Sequence, residues 1–319
     1  ADGLWQVRLS SGETRSYGAL VVANGHHWDA KTPHEYGDNF TGIQMHSHDY
    51  DSPFEPHDVR GKNILVVGVG NSAMDIASEV SQRPMAKKCF VSARRGVWVL
   101  PKYLNGEPAD KAVMPSWMPP AIGRWLGQRV IEKAIGNPEK YGLPKPDHDV
   151  LTAHPSVSGE FLTRLGCGDV HVKPGVDRLD GDAVIFADGS REPIDMIIWA
   201  TGYRISFPFL QQNELAVASN KFPLYRRMVK PGWRNLFFMG LAQPLPTLVN
   251  LAEQQSKFVA NVLAGKYQMP EDEAMQSQIE ADEKLYLGHY YNSERHTIQI
   301  DFGRYVSDLK KELRGHWTA

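Results

Sequence analysis

Cysteine is scarce in this chain. The two that occur, Cys89 and Cys167, lie far apart, and no C-x-x-C pair exists. Neither a dithiol redox centre nor a thiolate zinc site is indicated. Two unpaired cysteines suit a reducing compartment, so a cytoplasmic location is expected. Long apolar runs are also missing: none approaches the roughly 18–20 residues that span a bilayer. The stretch 310–319 is polar, and no anchor is expected there. Charge of one sign is lacking too. The 35 Lys and Arg nearly balance the 37 Asp and Glu, for a net charge of −2. That balance offers no electrostatic case for nucleic acid or an anionic membrane. Twelve histidines are present, but His26, His27, His46 and His48 repeat no metal-ligand spacing, and no metal site is expected.

What is present alternates between short apolar strands and helical stretches. Residues 4–9 and 14–18 flank Ser11-Gly12-Glu13 as a hairpin. Residues 19–23 read as a buried strand ending at Asn24-Gly25, and 26–60 as a linking segment rich in His, Pro, Asp and Gly. Residues 63–67 are a continuous apolar run, the pattern of a parallel strand covered on both faces. A helix follows over 72–81 and a strand over 88–92. The stretch 101–158 is rich in proline and tryptophan and reads as an excursion, with a short helix over 122–135. Strands return at 170–172, 183–187, 195–200 and 235–239, and helices at 248–264, 271–285 and 302–313. One device repeats: an apolar strand followed by Ala-x-Gly, at Ala23-Asn24-Gly25 and at Ala200-Thr201-Gly202. Small residues at a strand end leave room for a cofactor. The pairing points to two interleaved dinucleotide-binding domains.

The strand 63–67 runs into Gly68-Val69-Gly70-Asn71-Ser72-Ala73, a G-x-G-x-x-A turn opening a helix. The first glycine permits the tight turn, the second lets a pyrophosphate approach, and Ala73 lets the helix pack close to the sheet. The helix N-terminus then faces the phosphates. Specificity is read at the end of the next strand. A carboxylate there would bind a ribose 2′-hydroxyl, but this chain has Ser92-Ala93-Arg94-Arg95. Guanidinium groups pair with phosphate oxygens, so NADPH is expected over NADH.

Residues 40–51 spell F-x-G-x-x-x-H-x-x-x-Y-D through Phe40, Gly42, His46, Tyr50 and Asp51. Read alone, His46 and Tyr50 suit a satisfied polar pair in a linker. Placed just before G-x-G-x-x-A, the pattern resembles the fingerprint of flavin-containing monooxygenases. Arg94-Arg95-Gly96-Val97-Trp98, His154-Pro155-Ser156-Val157, the run 195–203 and Glu253-Gln254-Gln255-Ser256 are similar to later segments of that family, in order. The related Baeyer–Villiger enzymes carry Trp-Pro where Tyr50-Asp51 stands, which favours the heteroatom-oxidising branch.

The resemblance implies an α/β fold of two interleaved Rossmann-like domains, one for FAD and one for NADPH. The expected division is 1–55 as the end of the first FAD-domain segment plus linker, 56–203 as the NADPH domain, and 204–319 as the returning FAD-domain segment. It implies a monooxygenase using NADPH, FAD and O2 to oxygenate an amine nitrogen or sulfide sulfur, with N-oxide formation, through a C4a-hydroperoxyflavin. Gly68, Gly70, Asn71, Ser72, Ala73, Arg94, Arg95, Thr201 and Gly202 are the expected NADPH residues. Ala23, Asn24, Gly25 and Gln254 are the expected FAD residues, with the turn 244–250 opening a helix toward the flavin. His46 and Tyr50 are expected to order the linker, and a homodimer is entertained. Family members begin with a strand and G-x-G-x-x-G that bind FAD; the first glycine motif here is already the NADPH one. The expectation is therefore an incomplete FAD domain. The rivals are a Baeyer–Villiger or N-hydroxylating enzyme and, of another class, an NADP-binding fragment without catalysis.

Overall fold

The computed structural model describes residues 3–37, 39–104, 106–108, 136–149, 156–210, 215–244, 248–287 and 297–315, with isolated positions between 122 and 133. The expected helix over 122–135, most of the excursion around it, and His154-Pro155 lie outside the described residues, wholly or in part. The chain divides into two units, Ala30–Tyr203 and the pair Ala1–Asp29 with Arg204–Ala319.

In the unit Ala30–Tyr203, five parallel strands form a sheet in the order Val170–Lys173, Lys88–Ser92, Asn63–Val67, Met196–Trp199, Ile43–His46. The apolar run 63–67 takes the central place because both its faces find cover. Ile64 and Val66 pack with Met74, Ala77 and Val80 of the helix Asn71–Val80, and with Phe161 and Leu165 of the helix Phe161–Gly166. Leu65 and Val67 pack on the opposite face with Phe90, Trp199, Val184 and Phe186. The last two belong to a three-stranded antiparallel sheet, Val176–Asp180, Ala183–Phe186 and Arg191–Pro193. Each fully buried aliphatic side chain contributes about 1.5–3 kcal/mol.

One sequence expectation changes here. The segment 26–60 is not merely a link: Ile43–His46 is the edge strand of the five-stranded sheet, paired in register with Met196–Trp199. Residues 30–55 accordingly belong to this unit. The strand signal is hidden because an edge strand has one partner: Ile43 is only half-buried and Gln44 is exposed. The excursion is also tied down where it is described. Gly96 lies so close to the backbone of Pro144 and Lys145 that a Cβ there would clash, and Trp98 Nε1 donates to the His148 carbonyl at 2.8 Å.

In the other unit, Leu20–Val22 runs parallel to Leu236–Phe238. Phe237 faces the three helices Leu248–Leu263, Asp272–Leu287 and Phe302–Gly315, packing with Leu251, Phe258, Met275 and Tyr305. Leu236 and Phe238 face the other way, with Val22, Phe207, Phe222 and Leu224. The last helix buries Tyr305 and Leu309 and half-buries Phe302 and Val306, a spacing that puts all four on one stripe. The expected buried strand at 19–23 is only partly buried: Val21 is 41% exposed. Among the described residues it has a single neighbour strand. The hairpin Trp5–Arg8 and Thr14–Tyr17 is held near Asn235, whose side-chain Nδ2 donates to the carbonyls of Gly3 and Gly18.

Candidate functional site

The central strand Asn63–Val67 leaves the sheet through Gly68, and the two glycines of the turn do different work. Gly68 has φ +123°, and a Cβ on it would stand 2.6 Å from the Ala200 carbonyl oxygen. Only glycine fits where strand 63–67 and strand 196–199 end side by side. Gly70 has φ −83° and nothing within 4 Å of its would-be Cβ. Its freedom from a side chain serves open space, not packing.

Behind that space the helix Asn71–Val80 begins with Gly70 as N-cap, and no side chain caps it or places an acid in its first turn. An uncapped N-terminus leaves backbone N–H donors and a partial positive charge toward the opening. Ala73 is buried and brings the helix close to the sheet. Ser72 is exposed at the opening. The Asn71 side chain is committed elsewhere: its Oδ1 accepts the Val157 N–H at 2.9 Å. Ser156 Oγ donates to the Val69 carbonyl at 3.1 Å. Together these two bonds fasten Ser156–Val157, itself paired with Val99–Leu100, against the glycine turn.

At the end of the next strand, the run 94–98 sorts itself by partner. Arg95 pairs with Asp147 at 2.7 Å, Gly96 abuts 144–145, and Trp98 holds His148. Arg94 makes no hydrogen bond or ion pair among the described residues; its stem lies along Gly175 and its head is exposed. Thr201 Oγ1 donates to the Lys31 carbonyl, and Gly202, at φ +85°, accepts the Lys31 N–H at 2.9 Å.

The fingerprint residues are packing and tethering residues. Phe40 is buried beneath the sheet, and its ring lies where a Gly42 Cβ would be, 2.6 Å away. Tyr50 donates to Glu79 Oε2 at 2.9 Å, tying the segment to the helix that follows the glycine turn. Burial, with Glu79 beside it, raises the Tyr50 hydroxyl above its ordinary range. His46 is buried, and its Nδ1 accepts the His48 N–H at 3.0 Å. Burial lowers its pKa, so the ring is neutral at pH 7. It stands edge-on to Tyr203 at 5.2 Å.

In the other unit, Ala23 and Asn24 are exposed at the end of Leu20–Val22, and Gly25 has φ +70°. Gln254 is half-buried on the helix Leu248–Leu263. Its neighbour Gln255, to which sequence reasoning assigned no role, is the buried one. Gln255 Oε1 accepts the Gly240 N–H at 2.8 Å and its Nε2 donates to the Tyr305 hydroxyl at 3.0 Å. Helical spacing alone could have favoured it, since Leu251, Gln255, Phe258 and Val259 share one stripe. Residues 245–247, in the expected flavin-facing turn, lie outside the described residues. No group of three His, Cys, Asp or Glu among the described residues is arranged to hold a metal ion. None of the described helices is long and apolar enough to cross a membrane.

The comparison that decides the family spans almost all of the chain: the family described as flavin-binding monooxygenase-like matches residues 1–316. This chain belongs to that family. It is 34% identical over 320 residues to flavin-containing monooxygenase 5 of Rattus norvegicus, covering 94% of this chain and 58% of the relative. It is 33% identical over 330 residues to dimethylaniline monooxygenase [N-oxide-forming] 2 of the same species, covering 98% and 60%. The chain therefore spans about three-fifths of the length of these relatives. Among solved structures, S-allyl-L-cysteine S-oxygenase from Allium sativum superposes with TM-score 0.60 at 22% identity, covering 98% of this chain and 58% of that one. An oxidised steroid monooxygenase bound to NADP gives 0.71 at 18%, covering 98% and 76%. The shared fold is the Rossmann-like α/β architecture with parallel sheets, and the glycine turn of this flavin-binding monooxygenase-like chain sits at its strand ends.

Proposed function

We propose that this chain is the greater part of an NADPH- and O2-dependent flavin monooxygenase that oxygenates a soft nucleophile, an amine nitrogen or a sulfide sulfur. The observation that carries the reading is the open, uncapped turn at Gly70 with the unpaired Arg94 guanidinium at the next strand end. Gly70 and the first-turn N–H groups of Asn71, Ser72 and Ala73 fit a pyrophosphate. Arg94 fits a 2′-phosphate, while Arg95 is already held by Asp147 and plays at most a supporting part. Gly68 against Ala200 keeps the two strand ends together, and Thr201 and Gly202 border them. Ala23, Asn24 and Gly25 provide a second open strand end, which suits FAD.

When bound, NADPH supplies a hydride and FAD activates dioxygen, so that one oxygen atom reaches the substrate and the other leaves as water. The chain binds and orients these groups and excludes water; no nucleophilic side chain is needed. The relatives named for N-oxide formation and for S-oxygenation support nitrogen and sulfur as targets. Tyr50-Asp51 supports the same branch over ketone oxidation. Cys89 and Cys167 are unpaired, in keeping with a cytoplasmic enzyme, and a homodimer belongs to the same proposal.

Arg94→Ala should raise the NADPH KM at least tenfold while sparing NADH, because a charge-assisted phosphate contact contributes about 1.5–3 kcal/mol. Equal losses for both dinucleotides would refute the assignment. The purified protein should be yellow, and its NADPH oxidation should rise with trimethylamine or a thioether. A colourless protein that binds NADPH would favour an NADP-binding chain without catalysis.

A further inference from the structure

The parallel strands Leu20–Val22 and Leu236–Phe238 end side by side, and carboxyl ends of parallel strands are where open α/β sheets bind ligands. His26 follows the first strand and Gly240 the second. The Gly240 backbone lies beside the His26 ring and favours its protonated form, as a carbonyl oxygen does. A neutral imidazole has one donor and one acceptor. Nδ1 is buried with no hydrogen-bond partner, and in the tautomer that carries its proton on Nε2 it is the acceptor. Burial lowers the pKa to about 4, so the lone pair is present throughout the neutral range. A buried acceptor left without a donor is costly, and sites of this kind call for an explanation.

The ring is held firmly. Gly240 is fixed from below by Gln255, Gln255 by Tyr305, and the Tyr305 hydroxyl donates to the Arg226 carbonyl at 2.6 Å. Gln255 and Tyr305 are both buried. His27 packs against His26 at 4.0 Å between ring centroids. The orphan acceptor thus sits on a rigid mount, just after the exposed residues Ala23 and Asn24 in the chain.

We infer that His26 is a flavin-contacting residue whose Nδ1 accepts a hydrogen bond from the bound cofactor. This rests on the reading of the protein as a flavoenzyme. Flavin offers two kinds of donor, the ring N3–H and the ribityl hydroxyls, and His26 takes one of them. Gln255 and Tyr305 are positioning residues for the same contact, acting through Gly240.

The test is equilibrium titration of the whole protein with FAD, followed by quenching of flavin fluorescence, for wild type, His26→Ala and His26→Asn. NADP+ binding and the thermal midpoint serve as folding controls. His26→Ala should weaken FAD binding about three- to tenfold. His26→Asn, which keeps an acceptor on the Nδ1 branch, should restore it to within about twofold by the same reasoning. Unchanged FAD affinity in both variants would overturn the inference and leave the flavoenzyme reading standing. A wild-type protein that binds NADP+ but no FAD would overturn both. Should His26→Ala fail to fold, the 15N resonance of wild-type His26 Nδ1 gives the answer without a variant: it should shift on adding FAD, and an unmoved resonance overturns the contact. Titration with 3-methyl-FAD separates the donors. A His26-dependent loss that persists identifies a ribityl hydroxyl, and one that disappears identifies N3–H.

Discussion

Two glycines two positions apart make opposite demands, and that difference can be measured. At Gly68 the backbone is at φ +123° and the Ala200 carbonyl blocks a Cβ at 2.6 Å. Gly68→Ala should therefore lower stability by about 2 kcal/mol or more, from backbone strain and overpacking together. At Gly70 the backbone is at φ −83° and no atom stands within 4 Å of a Cβ. Gly70→Ala should leave the thermal midpoint within a degree or two, since nothing on the folded side changes beyond about 0.5 kcal/mol. It should nonetheless raise the NADPH dissociation constant at least tenfold, because in the proposed site the added methyl stands where the pyrophosphate would approach. Loss of stability in Gly70→Ala, or unaltered NADPH binding in it, would contradict this division of labour. The glycine pattern itself was plain in the sequence. The partner of Gly68 was not, because Ala200 lies far along the chain and the contact is made by backbone, which carries no residue code. The two adjacent arginines look alike in the sequence until Asp147 is seen to take Arg95.

At the scale of elements, continuous apolar runs were easy to read and half-exposed ones were not. The central strand Asn63–Val67 has residues 64–67 buried and announces itself. The edge strand Ile43–His46 carries Gln44 and a buried His46, and so reads as linker. The strands Val176–Asp180 and Arg191–Pro193 give little signal in the sequence because their charged residues face water while Val176 and Leu179 alone face the core. The role of Ser156–Val157 could not be read at all. Its short pairing with Val99–Leu100 matters only because Asn71 and Ser156 bolt it to the glycine turn. Removing one bolt should loosen that element and little else. Asn71→Ala is expected to cost about 1 kcal/mol and to speed hydrogen exchange at the Val157 amide, whose acceptor it removes. Amides of the central strand should be unaffected beyond that global change. Unchanged exchange at Val157 would mean that the bond does not hold the element in solution.

At the scale of the molecule, each unit carries its own core and its own strand-end opening, so damage to one can be read separately from binding by the other. The unit Ala1–Asp29 with Arg204–Ala319 closes on a polar knot in its interior. Glu312, on the last helix, accepts from the Tyr267 and Tyr225 hydroxyls at 2.6 and 2.7 Å and from Arg226 at 2.6 Å. Burial pushes its carboxyl up, but those three donors outweigh it and hold it below the ordinary range, ionised at neutral pH. Asp282 stands 3.5 Å from Arg226 on the preceding helix. Glu312→Gln keeps the shape but withdraws the charge from a guanidinium that is only 10% exposed. Breaking a buried pair on one side costs about 3 kcal/mol, because the remaining charge keeps its desolvation penalty. Acid acts in the same direction: a depressed carboxyl contributes stability above its unfolded pKa and loses it as the pH falls through the folded one. Hydrogen exchange should therefore show lost protection across Leu236–Phe238 and the helix Phe302–Gly315 in Glu312→Gln. Binding of NADP+, for which residues 68–94 are the proposed site, should stay within about twofold of wild type. A parallel loss of NADP+ affinity would show instead that the knot supports the dinucleotide site as well as its own unit.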